Sequence, residues 1–315
     1  MTKGARMNDS RISRRGFFGS ALGVAGVAAV AATGLTSCGT GNSSSAAQAG
    51  ANTPRPVILV TSFGTSYGNC RHITIGAIES DIDEAFAKYD VRRAFTSQTI
   101  IDHIQKDTGR HIDNFTEAMD KLVAEGVREV IVQPTHLTDG YEYNDIATAL
   151  ENYRSKFDKC GIGTPLLKTK DDQKAVAQAI KNATKSREDE HTCVCLMGHG
   201  TEAEANKIYT DFQAALNELG YKNYFVATVE ASPSFDDVAA AAKQAGYTRA
   251  ILRPLMVVAG DHANNDMADT GNDHSFASIM QASGFEVESI VEGLGQIEAV
   301  DEVYVQHTQE VINHL

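Results

Sequence analysis

Six apolar, β-branched runs, each closed by a turn and followed by a helix-compatible stretch, set the narrowest limits on how this chain can fold. VILVTSFG (57–64), VRRAFTS (91–97) and EVIVQPTH (129–136) occupy the first half, and TCVCLMGHG (192–200), YFVATVE (224–230) and AILRPLMVV (250–258) the second. Between them the apolar residues repeat at helical spacing, as in 75–89, 203–219 and 236–244. A parallel strand pair needs a crossover long enough to hold a helix, so regular alternation implies an α/β fold with parallel sheets flanked by helices.

The halves also match each other. SFGTS (62–66) stands where GHGTE (198–202) does, each a glycine-containing turn from strand into helix, and RAFTSQ ends the second strand where TVEASP does in the other half. Pro134 and Pro254 precede Gly140 and Gly260 by the same interval, and the two segments continue into Asn144-Asp145 and Asn265-Asp266. Such correspondence implies duplication of one α/β unit, with domains at 55–185 and 186–315 joined by a helix and linker over 168–190. Two similar domains enclose a cleft, the usual place for a ligand. A terminal helix over 297–315 that packs back across the first half would blur that boundary.

Ahead of this pattern lies a different kind of sequence. Arg14-Arg15 precedes an uncharged Ala/Gly/Val-rich stretch from Phe17 to Ala32, too short and too rich in glycine and alanine for a membrane span. It reads as a twin-arginine export signal. Leu35-Thr36-Ser37-Cys38 has the form of a bacterial lipobox, which would make 1–37 the signal, lipidate the Cys38 thiol and leave 38–54, rich in Gly, Ser, Ala and Asn, as a flexible tether. A plain signal cut nearby would leave Cys38 incidental. On the lipobox reading the protein is extracytoplasmic, periplasmic or on the outer face of the membrane, and touches the bilayer through its lipid anchor alone.

The net charge of −13 deepens once the signal is removed, because Lys3, Arg6, Arg11, Arg14 and Arg15 outweigh Asp9 there. An acidic chain repels nucleic acid and attracts cations, and no basic, aromatic surface pattern argues for a nucleic-acid partner. The remaining cysteines, Cys70, Cys160, Cys193 and Cys195, form no CxxC pair, which argues against a cysteine-based zinc or iron–sulfur centre; Cys193 and Cys195 share one face of a strand and read as core. There is no P-loop, so no nucleotide is expected.

What remains is a constellation. His199, Glu230 and His262 each follow one of the second-half strands, and open α/β sheets bind ligands beyond the carboxyl ends of their strands. Imidazole and carboxylate donors suit Co²⁺, Fe²⁺, Ni²⁺ or Zn²⁺ better than Mg²⁺ or Ca²⁺, which prefer all-oxygen shells.

Several longer strings are more specific. SFGTSYGNCRHITIGAIESDI (62–82), VRRAFTSQTII (91–101), HIDNFTEAMDKL (111–122), VQPTHLTDGYEY (132–143), MGHGTEAEANKIY (197–209), PLMVVAGDHANNDMA (254–268) and EGLGQIEAV (292–300) together resemble the anaerobic cobalt chelatases of the CbiK type, which insert Co²⁺ into sirohydrochlorin in cobalamin-type tetrapyrrole biosynthesis. The resemblance runs from about Pro56 to near the C-terminus. It implies two Rossmann-like domains around a tetrapyrrole cleft, metal ligands at His199, Glu230 and His262, and a chain that can assemble into homo-oligomers. Some exported relatives bind haem, although no residue here is assigned as a haem ligand.

The chemistry the resemblance implies exchanges two pyrrole protons for a divalent cation without ATP. Imidazole titrates near pH 6.5 as a class, so histidines can both hold a metal and take protons; His199 is the expected proton acceptor, with Glu230 balancing charge. The tetrapyrrole carboxylates need donors, for which Ser62, Thr65 and Ser66 offer an N–H-rich turn and Arg92 and Arg93, on alternate faces of a strand, offer one guanidinium toward the cleft. Phe63 would stack on the macrocycle, and His136 either lines the site or is a buried histidine. His72, His103 and His111 read as solvated. The other reading of the address is a lipoprotein that binds haem, another tetrapyrrole or a metal for a membrane transporter.

Overall fold

A computed structural model describes residues 54–202 and 204–315. The expected signal, Cys38 and the tether up to residue 53 lie outside the described residues.

The first half comprises β1 (Val57–Ser62), α1 (Gly68–Ile73), α2 (Ile75–Ala85), β2 (Asp90–Phe95), α3 (Gln98–Thr108), α4 (Phe115–Ala124), β3 (Glu129–Pro134), α5 (Tyr141–Glu151) and β4 (Lys159–Ile162). Helix α6 (Lys170–Thr184) leads into β5 (Thr192–Gly198), α7 (Lys207–Glu218), β6 (Tyr224–Thr228), α8 (Phe235–Gln244), β7 (Arg249–Pro254), a π-turn (Ala263–Met267), α9 (Phe276–Ala282), β8 (Glu286–Ser289) and α10 (Glu298–His314). Two parallel four-stranded sheets result, ordered β2-β1-β3-β4 and β6-β5-β7-β8, so the duplication extends to topology.

Each sheet is centred on the strand with the least interrupted apolar run. VILVTS of β1 and TCVCLMG of β5 are buried along their whole length, as central parallel strands covered on both faces must be. The fourth strand of each sheet was not legible. β4 is KCGI with exposed Lys159, and β8 is EVES with two glutamates; short, charged edge strands resist further pairing and carry no apolar periodicity.

The described residues form one compact unit. A single apolar cluster runs from the first sheet (Ile58, Val60, Ile131) through α2 and α6 to the second sheet (Val194, Leu196, Ile251) and α10 (Val300, Val303, Tyr304). The C-terminal helix does return to the first half. Tyr304 Oη donates to Thr135 O at 2.9 Å, Thr308 Oγ1 to Gln133 Oε1 at 3.1 Å, and His307 meets Asp172 and Thr164 O at 3.2 Å each. Gly161 in β4 lets it close, since a Cβ there would lie 2.5 Å from Val311. Among the described residues no helix is long and apolar enough to cross a membrane.

Candidate active site

In the order β6-β5-β7-β8 the chain leaves β5 toward one side and reaches β7 on the other, so the crevice between the carboxyl ends of β5 and β7 is the switch point where such sheets bind ligands. His199 follows β5 directly, and the segment carrying His262 follows β7. Glu230 follows β6, next to β5.

The turn that presents His199 depends on its flanking glycines. A Cβ on Gly198 would stand 2.1 Å from the Tyr209 ring, and Gly200 has φ +86° with Ala231 N 2.9 Å from where a Cβ would be. The Gly200 N–H donates to Tyr209 Oη at 3.2 Å, pegging the turn to α7. Val229 and Glu230 both donate their N–H to His199 O, at 3.1 and 2.9 Å, which ties the Glu230 loop to the histidine.

The rings of His199 and His262 meet edge to face, centroids 4.6 Å apart and planes at 85°. His199 Nδ1 lies 2.9 Å from Gly200 O and 3.5 Å from Glu230 Oε2. His262 Nδ1 lies 2.7 Å from Asp266 Oδ2. With both Nδ1 atoms engaged, the Nε2 lone pairs are left for a ligand. The side chains of His199, Glu230 and His262 stay open to solvent at 45%, 56% and 35% exposure. They form a chain rather than a closed triangle: Glu230 touches His199, His199 touches His262, and no hydrogen bond or ion pair among the described residues links Glu230 to His262. Two imidazole nitrogens with a carboxylate beside them make an open N,O donor set suited to a borderline divalent cation.

A tighter cluster of His111, Asp113 and Glu117, ligand atoms within 4.8 Å of one another, lies at the start of α4. Its carboxylates have other duties. Lys121 Nζ holds Asp113 at 2.6 and 2.7 Å, and Glu117 closes a capping box with Asn114.

Arg92 and Arg93 sit in mid-strand, opposite Leu59 and Val60, and each pairs with a glutamate of a helix. Arg92 pairs with Glu125 at the end of α4 at 2.6 Å, and Arg93 pairs with Glu79 of α2 through Nε and Nη2 at 2.6 and 2.5 Å. The Arg93 guanidinium also lies over the Phe95 ring at the end of β2, 5.9 Å from its centroid. Ser62 is buried and accepts from Thr135 Oγ1 at 2.8 Å, bracing β1 against β3. Thr65 is also buried, its Oγ1 accepting from Tyr67 N at 3.3 Å. Phe63 is exposed at the rim and Ser66 half-buried. His136 follows β3, with both ring nitrogens shielded from solvent and unpartnered; burial pulls it down to about 4, so the ring is neutral.

Loops from the two halves meet around the crevice. Tyr67 Oη donates to Asp261 Oδ1 at 3.4 Å, Gly260 stands beside Thr65, and Gly140 stands beside Ala205. Residue types alone did not single out Tyr67, Tyr209 or Asp266. For Asp266 a signal existed: it lies four residues after His262, the spacing that makes helix neighbours.

Residues 56–313 match the cobalt chelatase (CbiK) family. The chain is 34% identical over 263 residues to a sirohydrochlorin cobaltochelatase of Salmonella typhimurium, covering 82% of this chain and 97% of that one. It is 28% identical over 261 residues to sirohydrochlorin cobaltochelatase CbiKC of Nitratidesulfovibrio vulgaris, covering 82% and 91%. In fold it is similar to SirB from Bacillus subtilis solved with Fe³⁺, with a TM-score of 0.58 at 15% identity over 82% of this chain and 96% of that one. With the strand order, the paired histidines and a match along nearly all of the described residues, this chain belongs to the CbiK family of cobalt chelatases.

Proposed function

We propose that this protein is a sirohydrochlorin cobaltochelatase, a metal chelatase of the lyase class that inserts Co²⁺ into sirohydrochlorin and releases two protons without ATP. The observation that carries the reading is the His199–His262 pair at the β5/β7 switch point, in a chain 34% identical to an enzyme of that name. Co²⁺ is a substrate here and leaves with the product.

The residues account for each part of the exchange. Nε2 of His199 and Nε2 of His262 hold the incoming cation, and Glu230, beside His199, balances its charge. As the metal passes to the pyrrole nitrogens, the vacated Nε2 lone pairs become available to the pyrrole protons. Each imidazolium so formed has a carboxylate on its Nδ1 side, Glu230 at 3.5 Å from His199 and Asp266 at 2.7 Å from His262, so two protons meet two His–carboxylate pairs. Phe63 and Ser66 at the facing rim are the first-half residues placed to touch the macrocycle.

The same donor set accepts Fe²⁺, Ni²⁺ or Zn²⁺, and supply decides among them. We propose further that the chain is exported through its twin-arginine signal and anchored through Cys38. That address favours a second reading, an extracytoplasmic lipoprotein that captures haem, another tetrapyrrole or a metal ion for a transporter, alone or as a homo-oligomer. Cobalt insertion with multiple turnovers supports the enzyme; stoichiometric retention of tetrapyrrole with no turnover supports the carrier.

A further inference from the structure

The segment after β7 is held by a ladder of links four residues apart. Asn264 Nδ2 donates to Gly260 O at 2.7 Å, Asn265 Nδ2 donates to Asp261 Oδ1 at 2.8 Å, and His262 Nδ1 meets Asp266 Oδ2 at 2.7 Å. The two amide links secure the turn, whereas the third touches a candidate ligand. An ionised carboxylate can only accept, so at this distance the proton sits on Nδ1 and the lone pair on Nε2.

The winding of the turn sets this segment apart from its counterpart in the first half. Residues Ala263–Met267 form a π-helix, in which one extra residue is accommodated per turn. The sequence has one residue more between Pro254 and Asn265-Asp266 than between Pro134 and Asn144-Asp145, and the first-half segment winds as the ordinary helix α5. There Tyr141, not a histidine, lies four residues before Asp145. Of the two copies of this scaffold, the one with the inserted residue is the one with the His–Asp pair.

We infer that Asp266 is a positioning residue, which fixes the ring and tautomer of His262 so that its Nε2 lone pair is available to the divalent metal substrate. Asp266 itself stays behind the ring. The inference rests on reading His262 as a metal ligand, and it predicts that losing the carboxylate weakens metal binding by about 10- to 100-fold, as loss of such outer partners typically does.

The test uses the metal-free full chain labelled with ¹⁵N, and Co²⁺ alone as the probe. Two-bond ¹H–¹⁵N correlation, with the His262 signals identified by their loss in His262→Ala, should show the Nδ1–H tautomer in the wild type. Co²⁺ titration should show Asp266→Asn shifted toward the weak binding of His262→Ala, and Asp266→Glu, which restores a carboxylate, recovering part of the affinity. An Nε2–H tautomer at His262 in the wild type, or Co²⁺ binding by folded Asp266→Asn as tight as wild type, overturns the inference. If Asp266→Asn does not fold, the wild-type tautomer decides alone. Neither readout involves tetrapyrrole, so a chain that passes both and inserts no cobalt sinks the proposed activity and leaves this inference standing.

Discussion

His199 and His262 leave different strands, β5 and β7, yet their rings meet with centroids 4.6 Å apart across the switch point of the second sheet. Groups that act on one metal act as a unit, and removing the second costs little once the first is gone. His199→Ala, His262→Ala and the double variant should therefore fall to one common low rate of cobalt insertion. Losses that multiply in the double variant would show two independent sites.

Gly200 is where the backbone is most demanding near the site. Its φ of +86° costs an L-residue about 1–2 kcal/mol, and the added methyl would press on Ala231 and Thr228. Gly200→Ala should lower stability by at least that amount in denaturant titration and slow insertion, because the His199 turn must shift. Wild-type stability and rate together would contradict the account of the turn.

Arg92 lies in an exposed pair with Glu125, the kind that contributes about 0–1 kcal/mol. Arg92→Gln should change the KM for sirohydrochlorin by less than about twofold and stability by less than about 1 kcal/mol. A large rise in KM would restore the guanidinium to the cleft.

The pH dependence of stability has a named contributor. Burial lowers His136 from 6.5 to about 4, so the unfolded state binds the proton first as pH falls. The contribution is fully present above pH 6.5 and is lost as pH falls through the window down to about 4. Between pH 7 and pH 5 this should remove about 2 kcal/mol, and His136→Leu should remove that dependence. An unchanged pH slope in the variant would assign the acid sensitivity elsewhere.

What could be read from the sequence follows physical lines. β1 and β5 were legible because burial on both faces leaves an unbroken apolar run, and the position of His199, Glu230 and His262 just beyond β5, β6 and β7 because each follows such a run. β4 and β8 escaped because edge strands carry polar residues by necessity. Alternation correctly put Arg92 and Arg93 on opposite faces of β2, yet Glu125 and Glu79, which claim them, come from helices whose docking only the tertiary structure reveals. Asp266 was hidden differently: its i,i+4 relation to His262 was present in the string, but the π-turn that makes it a contact was not.

In the proposed function, His199 and His262 hand a divalent metal to a tetrapyrrole. The most direct measurement mixes the purified full chain with sirohydrochlorin and Co²⁺, without nucleotide, and follows the absorbance change of metal insertion over many turnovers. The account predicts steady insertion by the wild type and a rate at least about 100-fold lower for His199→Ala and for His262→Ala, the scale on which loss of acting groups is felt. No turnover by the wild type, or full activity in both variants, would contradict it.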